Sequence, residues 1–296
     1  MKLKNGIIFD LHRPVEKVPY VFHTFSTKNF LPWFPIYCRS IKQSYGDDSK
    51  IILQTLNASS EDFQLLRHLD ASVEIHNLEL SDEEISDFLL INSRTLSRFR
   101  DEMAYGKTTD ENFKFKIFIS VYLRYLTIKS MLVLTKKKLN FEYFIHSDVD
   151  ISHRTDVPKK MGSNNFDLAL FGRNYAKSDN VPLGAYLIFK NSESSISFLD
   201  YWYSFINEMP FHKWPRGFGQ MSLGAALEVN LASKQFKIID LSEDNEITFS
   251  KSSERSSDIW LNSNSKHQGS SFEVPYANSL TDIVETTQAF SDLFRR

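Results

Sequence analysis

Cysteine is nearly absent: Cys38 is the sole one in 296 residues. A single thiol excludes an intramolecular disulfide and a cysteine-rich zinc site, and it fits a reducing compartment. Its place in an amphipathic stretch reads as a small buried helix residue. Long uninterrupted apolar runs are missing as well. The opening MKLKNGIIFDLHRPVEK has none long enough for a signal peptide. The longest apolar segment, FKIFISVYLRYLTIKSMLVL, is broken by Arg124 and Lys129, so it reads as a mostly buried helix rather than a membrane span. A cytoplasmic location is the expectation. A basic surplus is also lacking, with 35 Lys and Arg against 37 Asp and Glu for a formal charge of −2. Nothing is left over to neutralise phosphates along a duplex, which argues against a nucleic-acid partner. No internal repeat or low-complexity linker divides the chain, so one domain over residues 1–296 is expected.

What is present suits a sizeable core: 42% hydrophobic residues, including 25 Phe, 12 Tyr and 4 Trp. Buried strands are predicted at 18–26, 50–56, 72–80 and 141–147. Helices are predicted between them, the last over 112–134. Serine and early acids mark two of the helix starts, at SSEDF and SDEEI. Lys136, Lys137 and Lys138 suit the negative end of the helix over 112–134. Strands alternating with helices predict an α/β fold with a mostly parallel central sheet flanked by helices. Further strands are predicted at 166–172, 184–190 and 235–241, with a helix in SSISFLDYWYSFINEM and another starting in GFGQMSLGAAL. Residues 242–272 are rich in serine, asparagine and charge and read as a loop. A short amphipathic helix closes the chain.

The sharpest feature is FEYFIHSDVDISHR, residues 141–154. An apolar strand ends on two aspartates, Asp148 and Asp150, one residue apart. On an extended segment they point to one side while Val149 turns back to the core. Ligands of parallel sheets bind outside the carboxyl ends of the strands, and this is such an end. Two carboxylates there suit a hard divalent cation, Mn2+ or Mg2+, with positions left for water and phosphate oxygens. The plainer alternative is a solvated strand-to-loop turn, where Asp is common.

FIHSDVDI resembles the metal-binding D-x-D of glycosyltransferases with the GT-A fold, which use nucleotide-diphosphate sugars. VFHTFSTKNFLPWFPIYCRSIKQSYGDDSKIILQTL is similar to that family's first strand, helix and second strand. ISVYLRYLTIKSML resembles the helix before its D-x-D, PLGAYLIFKNSESSISFLDYW its later strand and helix, and GFGQMSLGAAL the segment that often carries Asp-Gln. The likeness spans roughly residues 18–240. It implies a GT-A domain with a nucleotide-sugar half (15–152), an acceptor half (153–270) and a helical tail (271–296). It implies a metal-dependent transfer from a UDP-sugar to a hydroxyl of a glycan or lipid-linked acceptor, in cell-surface polysaccharide synthesis. Asp148 and Asp150 would hold the metal. His23, Thr24, Ser26, Arg124, Ser147 and Val149 would line the donor site, and Gln220 the acceptor side. Some members use a histidine of a late H-x-x-G segment, and SKHQGSS offers His267 as third ligand, one residue short of that spacing. Two positions depart from the family: Gly219 replaces the acid beside Gln220, and Leu183 stands where Asn or Asp is usual.

Other residues are candidates on their own chemistry. Glu208 or Asp200 would serve as base toward the acceptor hydroxyl, and Glu208 is taken as the catalytic candidate. Trp214, with Arg216 and Phe218, suits sugar stacking, although Trp is also a common core anchor. His146 either orients a neighbour or fills the strand end. His153 and Arg154 lie near enough to reach a phosphate or sugar hydroxyl, unless they form a surface turn. Phe290, Leu293, Phe294, Arg295 and Arg296 allow peripheral membrane contact by the last helix, with packing on the domain as the alternative. Two rival functions stay open: a dehalogenase-like D-x-D phosphatase, and a catalytically degenerate GT-A domain acting as a binding or scaffold subunit.

Overall fold

A computed structural model describes residues 16–26, 31, 33–59, 62, 66, 73–79, 81, 83, 127–162, 165–172, 184–208, 218–242, 247, 249–250 and 259–261. Among them, the elements in chain order are β1 (Glu16–Lys17), β2 (Tyr20–Ser26), α1 (Phe34–Tyr45), β3 (Lys50–Leu56) and β4 (Val73–Leu78). Helical residues 127–136 lead into β5 (Leu139–Asn140), β6 (Tyr143–Ser147), β7 (Ile151–His153) and α2 (Val157–Met161). Then follow β8 (Leu168–Leu170), β9 (Tyr186–Lys190), α3 (Glu193–Glu208), α4 (Phe218–Ser233), β10 (Ile238–Asp240), β11 (Phe249–Ser250) and β12 (Ile259–Leu261).

Seven strands form the central sheet in the order β10-β8-β9-β6-β2-β3-β4. β6, β2, β3 and β4 run parallel to one another, and β9 runs antiparallel to both of its neighbours. The expected α/β class with a mostly parallel sheet is what is found. The reversed direction of β9 is the addition. A small sheet, β11-β12-β7, lies beside it, and β1 pairs with β5.

The sheet is covered on both faces, which is why its central strands read as continuous apolar runs. One face carries Phe22, Ile51, Leu53 and Ile145 against α1 and α2. The other carries Val21, Ile52, Phe144, Leu187 and Phe189 against residues 127–136, α3 and α4. α1 starts on Pro35 in its first turn, where the missing N–H costs nothing. It stops at Gly46, whose φ of 88° is favoured only for glycine and whose N–H donates to Lys42 O at 3.0 Å. Cys38 is buried in this helix, as expected. α2 is capped by Asp156, whose side chain accepts from Lys159 N at 3.0 Å. The same carboxylate accepts from the Tyr20 hydroxyl at 2.8 Å, tying α2 to the start of β2. Between α3 and α4 the fully buried Trp202 donates from Nε1 to Ser222 Oγ at 3.0 Å.

Candidate active site at the carboxyl edge of the sheet

The strand order fixes where a crevice opens. From β2 the chain moves outward to β3 and β4, then returns to the other side of β2 as β6. Connections leaving β2 and β6 in opposite directions part at their carboxyl ends, and such a switch point is where open α/β sheets bind ligands. The last residue of β6 is Ser147, and Asp148 comes next. The D-x-D therefore stands at the switch point, beside the end of β2.

Its local form differs from the expectation. Asp148 to Ile151 is a turn, not an extended segment, closed by Ile151 N donating to Asp148 O at 3.0 Å. Strand alternation thus does not set the two carboxylates. Asp is favoured at the head of such turns because its short side chain bonds nearby backbone. The turn is not a solvated one, however. Asp150 is only 7% exposed, and Val149 sits at 4% in the core below, where the turn and not strand alternation puts it. Asp148 N donates to Ala185 O at 2.9 Å, pinning the turn to the residue that leads into β9.

The strand ends beneath the turn carry two polar chains. In the first, Gln54 Oε1 lies 2.8 Å from His23 Nε2, and His23 Nδ1 lies 3.0 Å from His146 Nδ1. Gln54 Oε1 can only accept, so His23 is protonated on Nε2 and accepts at Nδ1 from His146. Burial drives the His23 pKa from 6.5 to about 4, against a smaller upward pull from Gln54. His23, expected to contact the nucleotide, is thus a neutral, fully buried residue with both nitrogens engaged. Thr24 is fully buried on the opposite face of β2, and Ser26 is buried at the strand end. His146 orients a neighbour, the first of the two roles considered for it.

In the second chain, Ser147 Oγ lies 2.8 Å from the Tyr37 hydroxyl and 3.2 Å from His153 Nε2. Ser147, expected at the donor site, is fully buried, and its side chain supports the turn. His153 forms neither a surface turn nor a phosphate contact. It is 2% exposed, with its ring edge-on to Phe22, Tyr37 and Tyr45 at centroid distances of 5.2, 5.5 and 5.7 Å. Burial alone lowers its pKa to about 3.

The remaining candidates divide by position. Gln220 lies in the first turn of α4, half-buried. Glu208 is the last residue of α3, and its side chain lies outside the described residues. Asp200 pairs with Lys129 on the surface between α3 and residues 127–136. Arg124, Trp214, Arg216 and His267 lie outside the described residues, as does the tail 271–296. Among the described residues, no three His, Cys, Asp or Glu side chains converge as a metal cluster. None of the described helices is long and apolar enough to cross a membrane.

The residues that motif reasoning missed are Tyr37, Ser40 and Ser44 of α1. Ser40 Oγ accepts from His153 N at 3.1 Å, and Ser44 Oγ donates to His153 O at 2.9 Å. The available signal was three hydroxyls spaced three and four residues apart along one face of the helix, next to the buried Tyr45.

No protein-family model matches the chain, and no curated protein matches it. Several solved structures are similar in shape. The glycosyltransferase GlyE of Streptococcus pneumoniae TIGR4 aligns at 11% identity and a TM-score of 0.47, over 93% of this chain and 64% of that one. Its apo form aligns at 10% identity and a TM-score of 0.44, over 76% of this chain and 46% of that one. The chain thus spans roughly half to two thirds of those proteins. The galactosyltransferase LgtC, in complex with donor and acceptor sugar analogs, aligns at 10% identity and a TM-score of 0.44, over 91% of this chain and 95% of that one. At such scores the fold rests on the strand order above and not on the likeness.

Proposed function

We propose that the chain is a metal-dependent glycosyltransferase that moves a sugar from a UDP-sugar to a hydroxyl of a glycan or lipid-linked acceptor. One observation carries the reading: two acids with adjoining strand ends stand at the switch point of a mostly parallel sheet, held in a turn whose middle residue is anchored in the core. Two carboxylates are a hard, all-oxygen donor set that fits Mn2+ or Mg2+, ions that keep several ligands for water and phosphate. Asp148 and Asp150 would hold the ion, which when bound supplies positive charge toward a departing diphosphate.

The third protein ligand we assign to His267. β12 pairs antiparallel with β7, Leu261 opposite Ile151, so the chain leaves β12 beside Asp150. His267 follows six residues later, a span of up to about 20 Å when extended. Glu208, ending α3, would take the proton of the acceptor hydroxyl, and Trp214, Arg216 and Gln220 would seat the acceptor. Arg124 would face the donor. The proposed setting is assembly of a surface polysaccharide at the cytoplasmic face of a membrane, with the C-terminal helix as the peripheral contact.

The test is UDP binding by calorimetry with and without Mn2+. The wild-type chain is expected to bind UDP in a Mn2+-dependent manner, and Asp148→Ala and Asp150→Ala to lose that dependence with unchanged circular dichroism. Unaltered UDP affinity in either variant removes the metal assignment. Tight binding with no transfer over a broad acceptor panel would turn the reading toward a binding subunit, and phosphate release without sugar transfer toward a phosphatase.

A further inference from the structure

The D-x-D turn is gripped on both sides by one helix. Ser147 immediately precedes Asp148, and its Oγ meets the Tyr37 hydroxyl. His153 follows Asp150 by three residues, and its backbone N–H and C=O meet Ser40 Oγ and Ser44 Oγ. Ser147 Oγ and His153 Nε2 meet each other across the base of the turn at 3.2 Å. Residues 37, 40 and 44 share one helix face, so a single rigid element holds both flanks.

The chemistry argues against incidental packing. Among the described residues, β7 is the outer strand of the small sheet, paired with β12 on one edge. The N–H and C=O of one residue in a strand point to the same side, and a buried pair left unbonded is costly. Ser40 and Ser44 supply one acceptor and one donor to His153, taking the place of a neighbouring strand. Ser40 also donates to Tyr37 O at 2.8 Å, so its hydroxyl is held in the orientation that accepts from His153. Tyr37, Ser40, Ser147 and His153 are all buried, which keeps water from competing for these bonds. An apolar helix face would pack equally well but would leave the ends of the turn unbonded.

We infer that Tyr37, Ser40 and Ser44 are positioning residues that set the shape of the Asp148–Ile151 turn and thereby pre-organise the two carboxylates for a divalent cation. The use of the carboxylates rests on the function proposed above; the grip itself does not. Rigid support of ligating side chains is what separates a metal site from two acids that happen to be near each other.

The experiment measures amide hydrogen exchange at Asp148 and Ile151 in metal-free protein, together with Mn2+ affinity by paramagnetic resonance. Tyr37→Phe keeps the ring and removes the hydroxyl; it touches neither amide. Ser44→Ala is a second route to the same readout should Tyr37→Phe fold poorly. Ser222→Ala, on the opposite face of the sheet, controls for general loss of stability. Loss of one buried bond is expected to speed exchange at the two amides by ~5–10-fold and to weaken Mn2+ binding by a similar factor. Ser222→Ala should leave both readings at the wild-type value. Exchange as slow as wild type in Tyr37→Phe and Ser44→Ala, or equally fast in Ser222→Ala, overturns the inference. Faster exchange in a protein that binds no Mn2+ even as wild type upholds the grip and discards the metal reading.

Discussion

Replacing His153 with phenylalanine should remove about half of an acid sensitivity that two histidines build into this fold. Three tyrosine rings and Phe22 surround the imidazole: Tyr37 and Tyr45 from α1, Tyr186 from β9. Its Nε2 meets Ser147 Oγ, a neutral partner, and desolvation lowers its pKa to about 3. Between pH 6.5 and 3 the unfolded chain therefore binds a proton that the folded chain refuses, so stability falls as pH falls through that window. From pH 7.5 to 5, the free energy of protonating an unfolded imidazole grows by about 2 kcal/mol, while the buried ring stays neutral. His23, lowered to about 4, adds a similar loss of about 2 kcal/mol over the same range. Glu74 behaves in the opposite sense. His76 and Lys138 bond its carboxylate and hold it near 2, against a smaller penalty from burial. Its stabilising contribution is present above the ordinary value of 4.5 and is lost as pH falls toward 2. That window lies below pH 5, and the group is common to both proteins. Urea unfolding at pH 7.5 and 5.0 should thus show a drop smaller by about 2 kcal/mol in His153→Phe than in wild type, whatever the variant's absolute stability. Equal drops in the two proteins would refute the reading of His153 as a neutral core residue.

Two further substitutions probe the packing that supports the edge. Ser222→Ala leaves Trp202 Nε1 without the oxygen 3.0 Å away and should cost about 1–3 kcal/mol in urea unfolding; a loss within error would show that the bond contributes nothing. Gly172→Ala places a Cβ against the Asp240 carboxylate, 2.8 Å from Cγ, where that carboxylate also accepts from Gly172 N and Ser242 N. It should cost about 1–3 kcal/mol by thermal melting, and a midpoint equal to wild type would mean that the carboxylate relocates freely.

The two halves of the structure differed in how plainly the sequence announced them. Lys50–Leu56 was read to the residue, because the β-branched and apolar Ile51, Ile52 and Leu53 run together as in a strand covered on both faces. Tyr186–Lys190 was read as a strand, but its reversed direction was not, since the same buried pattern serves a strand running either way. Ile259–Leu261 lies in a segment read as a loop: three residues in a polar stretch give no period to detect, and pairing with β7 and β11 makes them a strand. The same limit applies to His153. Its sequence neighbours are polar, which suggested a surface turn, while the rings that bury it come from positions 22, 37, 45 and 186.

Position and support together separate this D-x-D from an ordinary acidic turn. Asp-rich turns at strand ends are common and mostly solvated. Here the return of the chain from β4 to β6 puts the pair where the connections part, at the place in such a sheet where a ligand can reach several strand ends at once. What surrounds the turn is a set of buried hydroxyls on its flanks, a backbone bond to Ala185 on one side, and a core contact through Val149 below. A turn with no task gains nothing from being fixed in four directions with its acids at the edge. Under the function proposed above, such fixing suits a cation site, because the ion binds more tightly the less its ligands must be rearranged.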